Sequence, residues 1–379
     1  MTTTDDTDST DLSFSVDVES GDLTEALKNI SLFVGPGCIV YIKASVHPKN
    51  PDVGKLLIEA GQNGVYMSTY ISAEVMEEGK FCIPISSLTT LSLKTKKPLS
   101  LRIGEDKRLK IQSGNLNFRL VCSPWSIAHL QRPRSKIEPQ VKIHGSQFQL
   151  GARLTTLASP VPGTTPVVNV EMAEKLSMSI TDYYRALLYT ETLDAKLEPP
   201  LRASLRPDLV QGISSRFAKF DIELGEDRGV FMCKAGRTRL YYPTVQAYDA
   251  ISVEEEIRSF PEDKRLGEFS VDAEAFATAV AQCSSISRRN KDAEPALNVL
   301  VMGNRLLTQV KAGADVAESE TRVSSDFAKH MFKISVRHLV ETLAGLKGSD
   351  CILKFEVWPN LVRVSGLNEH YMAAFPVVD

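Results

Sequence analysis

The sequence predicts an α+β protein made of three tandem units, each with two helices packed on an antiparallel sheet. Three observations carry this. One amphipathic segment followed by three alternating segments occurs three times along the chain. A strand-plus-helix pattern opens each third ahead of it. The repeat distance is about 120 to 130 residues, the size of an ordinary domain, and 379 residues are too many for one core.

The units are expected at 12–135, 136–262 and 263–379, after a polar, acidic and disordered tail over 1–11 with Asp5, Asp6, Asp8 and Asp11. The openers are L-S-F-S-V-D-V with G-D-L-T-E-A-L-K-N-I-S-L-F, then V-K-I-H-G with S-Q-F-Q-L-G-A-R-L-T-T-L, then G-E-F-S-V-D with A-E-A-F-A-T-A-V-A-Q-C. The second halves run from Ile85 to Pro124, Arg206 to Pro243 and Ile334 to Pro376. In each, apolar residues first recur at helical spacing, as at Leu339, Val340, Leu343 and Leu346. Period-two alternation then takes over, as at Leu99, Leu101 and Ile103. G-E-D is expected to turn the chain between the first two strands in two copies, and Gly114, Gly236 and Gly366 to mark the next turn in all three.

Charge is nearly balanced, with 44 basic and 47 acidic residues, four of the latter in the tail. A near-neutral total still permits a basic face. No run approaches the roughly 20 apolar residues of a membrane helix. No basic-then-apolar stretch opens the chain, so a cytoplasmic location is expected and no membrane partner. The six cysteines are scattered without C-x-x-C and read as free buried thiols.

Catalytic patterns do not emerge. There is no G-x-x-x-x-G-K, G-x-G-x-x-G or G-x-S-x-G. The six histidines do not stand at metal-ligand spacing, so neither a metal nor a cofactor is expected. Asp182 reads as a strand-end carboxylate bonded to backbone or Arg185, and Glu254-Glu255-Glu256 as a solvated linker.

The ordered set of motifs resembles the bacterial DNA polymerase sliding clamp, the beta subunit of the replicative polymerase. Where that family carries T-D-G-H-R-L, this chain has T-D-Y-Y-R-A from Thr181 to Ala186. Where the family closes on M-P and two or three residues, this chain has F-P-V-V-D. The hairpin Arg108 to Leu120 and the segment F-K-I-S-V-R-H-L, Phe332 to Leu339, add further likeness, and the resemblance spans nearly everything after the tail. Departures from the bacterial pattern fit a bacteriophage version. The implied fold is the DNA clamp fold, and the implied role is a non-catalytic, ring-forming processivity factor.

The resemblance further implies a pocket for short linear peptides of the polymerase and the clamp loader. It assigns Thr181, Tyr183, Tyr184, Arg185 and Ala186, with Pro243, Ala247 and Tyr248, to that pocket. Phe375, Pro376, Val377 and Val378 would close it, with Pro359 and Leu361 nearby. Tyrosine and arginine suit such a site because they combine area with directed donors. Two tyrosines in place of the family's Gly-His imply a narrower pocket or a different peptide.

A head-to-tail homodimer would enclose double-stranded DNA without reading its sequence. The residues expected to face DNA are Lys28, Lys94, Lys96 and Lys97 in the first unit, and Arg153, Arg206, Arg216 and Lys219 in the second. In the third they are Arg288, Arg289, Lys291, Arg337 and Lys347. Three other readings stay open: a clamp-fold sliding coactivator of another DNA process such as transcription, an enzyme whose site has no recognised pattern, and a monomeric DNA-binding module that never closes.

Overall fold

Alternation along Phe14–Val18 puts Phe14, Val16 and Val18 on one buried face, and the same two-residue period repeats through the strands that follow. The computed structural model describes residues 13–47, 50–91, 97–126, 130–134, 136–155, 166–182, 185–194, 196–245, 253–286, 296–312, 314–345, 351–366 and 370–378. The acidic tail lies outside them.

Helices form where apolar residues recur every three or four positions. They are α1 (Ser20–Phe33), α2 (Ile85–Thr89), α3 (Gly145–Thr155), α4 (Pro207–Phe217), α5 (Val253–Arg258), α6 (Ala273–Ser284) and α7 (Val336–Gly345). In α1 the stripe Leu23, Ala26, Leu27, Ile30 and Phe33 is buried. Pro207 starts α4, where its missing N–H leaves no intrahelical bond unmade. Asp272 caps α6 by accepting from the Ala275 N–H at 2.7 Å.

By internal contacts the chain divides into two compact units, residues 1–142 with 220–243 and residues 143–219 with 244–379. The middle third contributes to both. The reason lies in strand pairing. In the first unit Thr238–Pro243 pairs antiparallel with Val65–Glu77, from Thr238 opposite Thr69 to Tyr241 opposite Tyr66. In the second, Arg185–Thr192 pairs with Tyr371–Pro376, from Ala186 opposite Ala374 to Tyr189 opposite Tyr371. Each seam makes a sheet continuous across two sequence repeats.

A linker packs over each seam. In the first unit Trp125, Leu130 and Ile137 bury themselves against Tyr41, Tyr66, Met232 and Tyr241. Arg132 holds the buried Glu59 carboxylate at 2.7 Å, and Tyr66 donates its hydroxyl to the same group. In the second unit the corresponding cover is α5.

Two turn expectations change. Gly104-Glu105-Asp106 does turn the chain, but Gly225-Glu226-Asp227 lies inside the strand Asp221–Asp227. The turn falls at Arg228 and Gly229, both at positive φ. Gly225 is there because the linker passes close: a Cβ would stand 2.7 Å from the Glu138 carbonyl oxygen. Gly114 and Gly236 turn at positive φ as expected, whereas Gly366 ends the strand Leu361–Gly366 opposite Tyr371.

Candidate functional site

The strands Lys175–Asp182 and Arg185–Thr192 form a hairpin in which Thr181 faces Ala186 and Asp182 faces Arg185. Its tip, Tyr183 and Tyr184, lies outside the described residues, as do Ala247 and Tyr248. Alternation sends Arg185, Leu187 and Tyr189 to the helix-covered face and Ala186 and Leu188 to the other.

Arg185 does not present itself to a partner. Its side chain is 0% exposed. One terminal nitrogen donates to the His338 carbonyl at 2.9 Å and to Thr342 Oγ1 at 3.2 Å. The other donates to Glu341 Oε2 at 2.7 Å. The expectation of a peptide-contacting arginine is therefore corrected: its donors are engaged by α7, which it fastens to the strand. Burial pushes the Glu341 carboxyl upward, but Arg185 and Arg337 outweigh this and hold it below the usual carboxylate range.

On the opposite face Ala186, Leu188, Leu361, Met372 and Ala374 form one apolar cluster with Val253 and Ile257 of α5 and with Phe260. The linker expected to be solvated is thus a helix here. Val253 and Ile257, four apart, point to the same side and bury together, while Glu255 stays exposed. The end of α5 and the segment after it are pinned. Arg363 donates to the Ile257 carbonyl at 3.1 Å and Trp358 Nε1 to the Pro261 carbonyl at 2.9 Å. Phe260 and Trp358 have ring centroids 5.4 Å apart.

Of the other expected pocket residues, Leu361 sits opposite Pro376. Val377 N–H donates to the Asn360 carbonyl at 3.0 Å, next to exposed Pro359, and Val378 N–H to the Lys333 carbonyl at 2.9 Å. Phe375 is 1% exposed on the helix-covered face, opposite Val362, so it is core rather than a closing residue. Pro243 ends a strand of the first unit.

Beside α5 lies a cavity of about 380 Å³ that the sequence reading missed. Its walls include Asn169, Glu171, Ser177, Ser179, Arg202, Ser204, Val253 and Glu254. Ser204 donates to Asn169 Oδ1 at 2.8 Å, Arg202 meets Glu171 at 2.9 Å, and Ser177 reaches Glu254 at 3.5 Å. Its signal was present as polar residues at every second position: N-V-E, S-M-S and R-A-S.

Among the expected DNA-facing residues, Lys28, Lys97, Arg153, Arg216 and Lys219 are exposed. Arg206 is exposed but ion-paired with Asp208, and Arg337 with Glu341 at 3.1 Å. Lys94, Lys96, Arg288, Arg289, Lys291 and Lys347 lie outside the described residues. Among the described residues no cluster of three acidic, His or Cys side chains could hold a metal.

No family model matches the sequence, and no curated protein does. Solved structures do match. The DNA polymerase sliding clamp of Caulobacter crescentus is 16% identical, with a TM-score of 0.80 over 97% of this chain and 100% of that one. The beta subunit of Streptococcus pyogenes DNA polymerase is 12% identical, with a TM-score of 0.82 over 96% and 99%. A Pseudomonas aeruginosa sliding clamp bound to griselimycin is 13% identical, with a TM-score of 0.83 over 97% and 100%. The chain has the sliding-clamp fold, mixed helix and antiparallel sheet, along nearly its whole length.

Proposed function

We propose that the protein is a DNA sliding clamp: three clamp domains per chain, two chains head to tail, enclosing duplex DNA and tethering a DNA polymerase and its loader. The observation that carries this reading is the match to clamps over 97% of the chain and the full length of the matched proteins. A fold held from end to end at such low identity supports a shared architecture for a shared task.

The chemistry agrees. The exposed cations Lys28, Arg153, Arg216 and Lys219 lie on or just beyond helices whose other side is buried. Cations of this kind contact phosphates, which position a duplex without reading its bases. Salt weakens such contacts, so durable retention must come from enclosure. Tethering a partner raises its effective concentration at the DNA and needs no catalytic group. Partner docking belongs to the surface around Ala186, Leu361 and Pro376, where an apolar face, a polar cavity and the chain terminus adjoin.

The test is retention on nicked circular DNA after loading. The protein is expected to remain bound in high salt and to leave when the circle is cut. Equal salt-resistant retention on open linear DNA would remove the enclosure model.

A further inference from the structure

We propose that α5 is an exchangeable strap: it fills, with Val253 and Ile257, the seat into which a partner's apolar peptide docks. This rests on the docking reading above and adds what occupies the site when no partner is present. The seat is the apolar face formed by Ala186, Leu188, Met372, Ala374 and Leu361. The strap shows what fits: two aliphatic side chains one helical turn apart on a short polar carrier.

The sheet holds the strap from its C-terminal side. Within its last turn Ile257, and beyond its end Pro261, accept hydrogen bonds from Arg363 and Trp358. Near its N-terminal end Ser177 reaches Glu254 at 3.5 Å. Six residues are far too few for a helix to persist without its packing surface. Val253 lines both the apolar seat and the cavity of about 380 Å³. Lifting the N-terminal end would therefore join the two into one groove, apolar at one end and serine-lined at the other. The fitting partner is a short segment with two aliphatic residues and a polar flank.

The probe is the strap's own sequence, a fluorescent peptide V-E-E-E-I-R-S-F of residues 253–260. Its anisotropy is measured with the wild-type chain and with the double variant Val253→Ser, Ile257→Ser. Emptying the seat is expected to tighten binding by at least about tenfold. A polymerase-derived clamp-binding peptide should then displace the probe. Equal binding to both proteins overturns the strap. Tight probe binding that the polymerase peptide does not compete away overturns the partner's use of the seat, while the DNA-retention test is untouched. If the variant does not fold, hydrogen exchange on the wild type decides: amides 257–259, the ones the short helix hydrogen-bonds, must lose protection when the polymerase peptide is added, and unchanged protection sinks the proposal.

Discussion

The Arg185 guanidinium lies 2.7 Å from the Glu341 carboxylate, with the arginine fully buried and the glutamate 28% exposed. The pair ties a strand of the middle repeat to α7 of the last one, next to the seam of Ala186 with Ala374. Removing the arginine takes a charged donor from the His338 carbonyl, which keeps Thr342 Oγ1 at 2.8 Å, and opens a cavity, while Glu341 keeps Arg337 and partial solvent. Arg185→Ala is therefore expected to lower unfolding free energy by about 3 kcal/mol, the low end for breaking a buried pair. Urea melts of both proteins check this. A loss below about 0.5 kcal/mol would place Arg185 among ordinary surface residues.

The same carboxylate gives a pH dependence. Burial works against ionisation of Glu341 and Glu356, yet Arg185 and Arg337 hold the first below its ordinary 4.5, and Arg363, Lys354 and Arg265 hold down the second. A folded-state value below the unfolded one means the ionised form favours folding. That stability is present above about pH 4.5 and is lost as pH falls through the lowered values. Urea midpoints should vary little from these two groups at neutral pH and fall below about pH 4.5, less so in Glu356→Gln. An acid limb unchanged in that variant would show that Glu356 is not responsible.

Much of the fold was legible because periodicity survives divergence. The helix around Leu339 and Leu343 and the strand Leu99–Ile103 follow from spacing alone. The site was legible only in part. T-D-x-x-R marks the right hairpin, but one-residue alternation decides which face each side chain takes. Nothing local in the sequence says that Arg185 points toward α7 and Ala186 toward α5. Likewise V-E-E-E-I is charged enough to read as solvated linker until a neighbouring apolar face exists to bury its ends.

Gly151 in α3 carries a prediction opposite in sign to helix propensity. Alanine would ordinarily gain about 1 kcal/mol over glycine inside a helix. Here its Cβ would stand 2.5 Å from Met178 Sδ and 2.6 Å from Tyr189 Cδ1. The Tyr189 ring cannot swing aside freely, since its hydroxyl donates to Glu191 at 2.5 Å. Gly151→Ala should thus lose about 1 to 3 kcal/mol through overpacking. Gly21 in α1 has nothing within 4 Å of its built Cβ and serves as the control. Gly21→Ala should be neutral or gain up to about 1 kcal/mol. Thermal melts in which both variants shift alike would mean that packing at Gly151 is looser than the contacts imply.

The proposed head-to-tail dimer needs two complementary edges, and the chain offers a pair. The strand Leu116–Val121 ends the first unit's sheet, and Asp315–Arg322 ends a four-stranded sheet of the second. Such edges leave backbone donors and acceptors for another chain. Arg119 is exposed on the first, with Val121 73% exposed beside it, and Glu318 and Glu320 are exposed on the last. Pairing the first edge of one copy with the last edge of another is heterologous, and two such contacts can close a ring. Arg119→Glu should therefore weaken the dimer by about tenfold or more, because like charges then face each other. Adding Glu318→Arg and Glu320→Arg to that variant should restore it. Light scattering over a dilution series reads one chain or two directly. A wild-type chain that stays single at every concentration would remove the dimer, and a reversal without rescue would move the contact away from these strands.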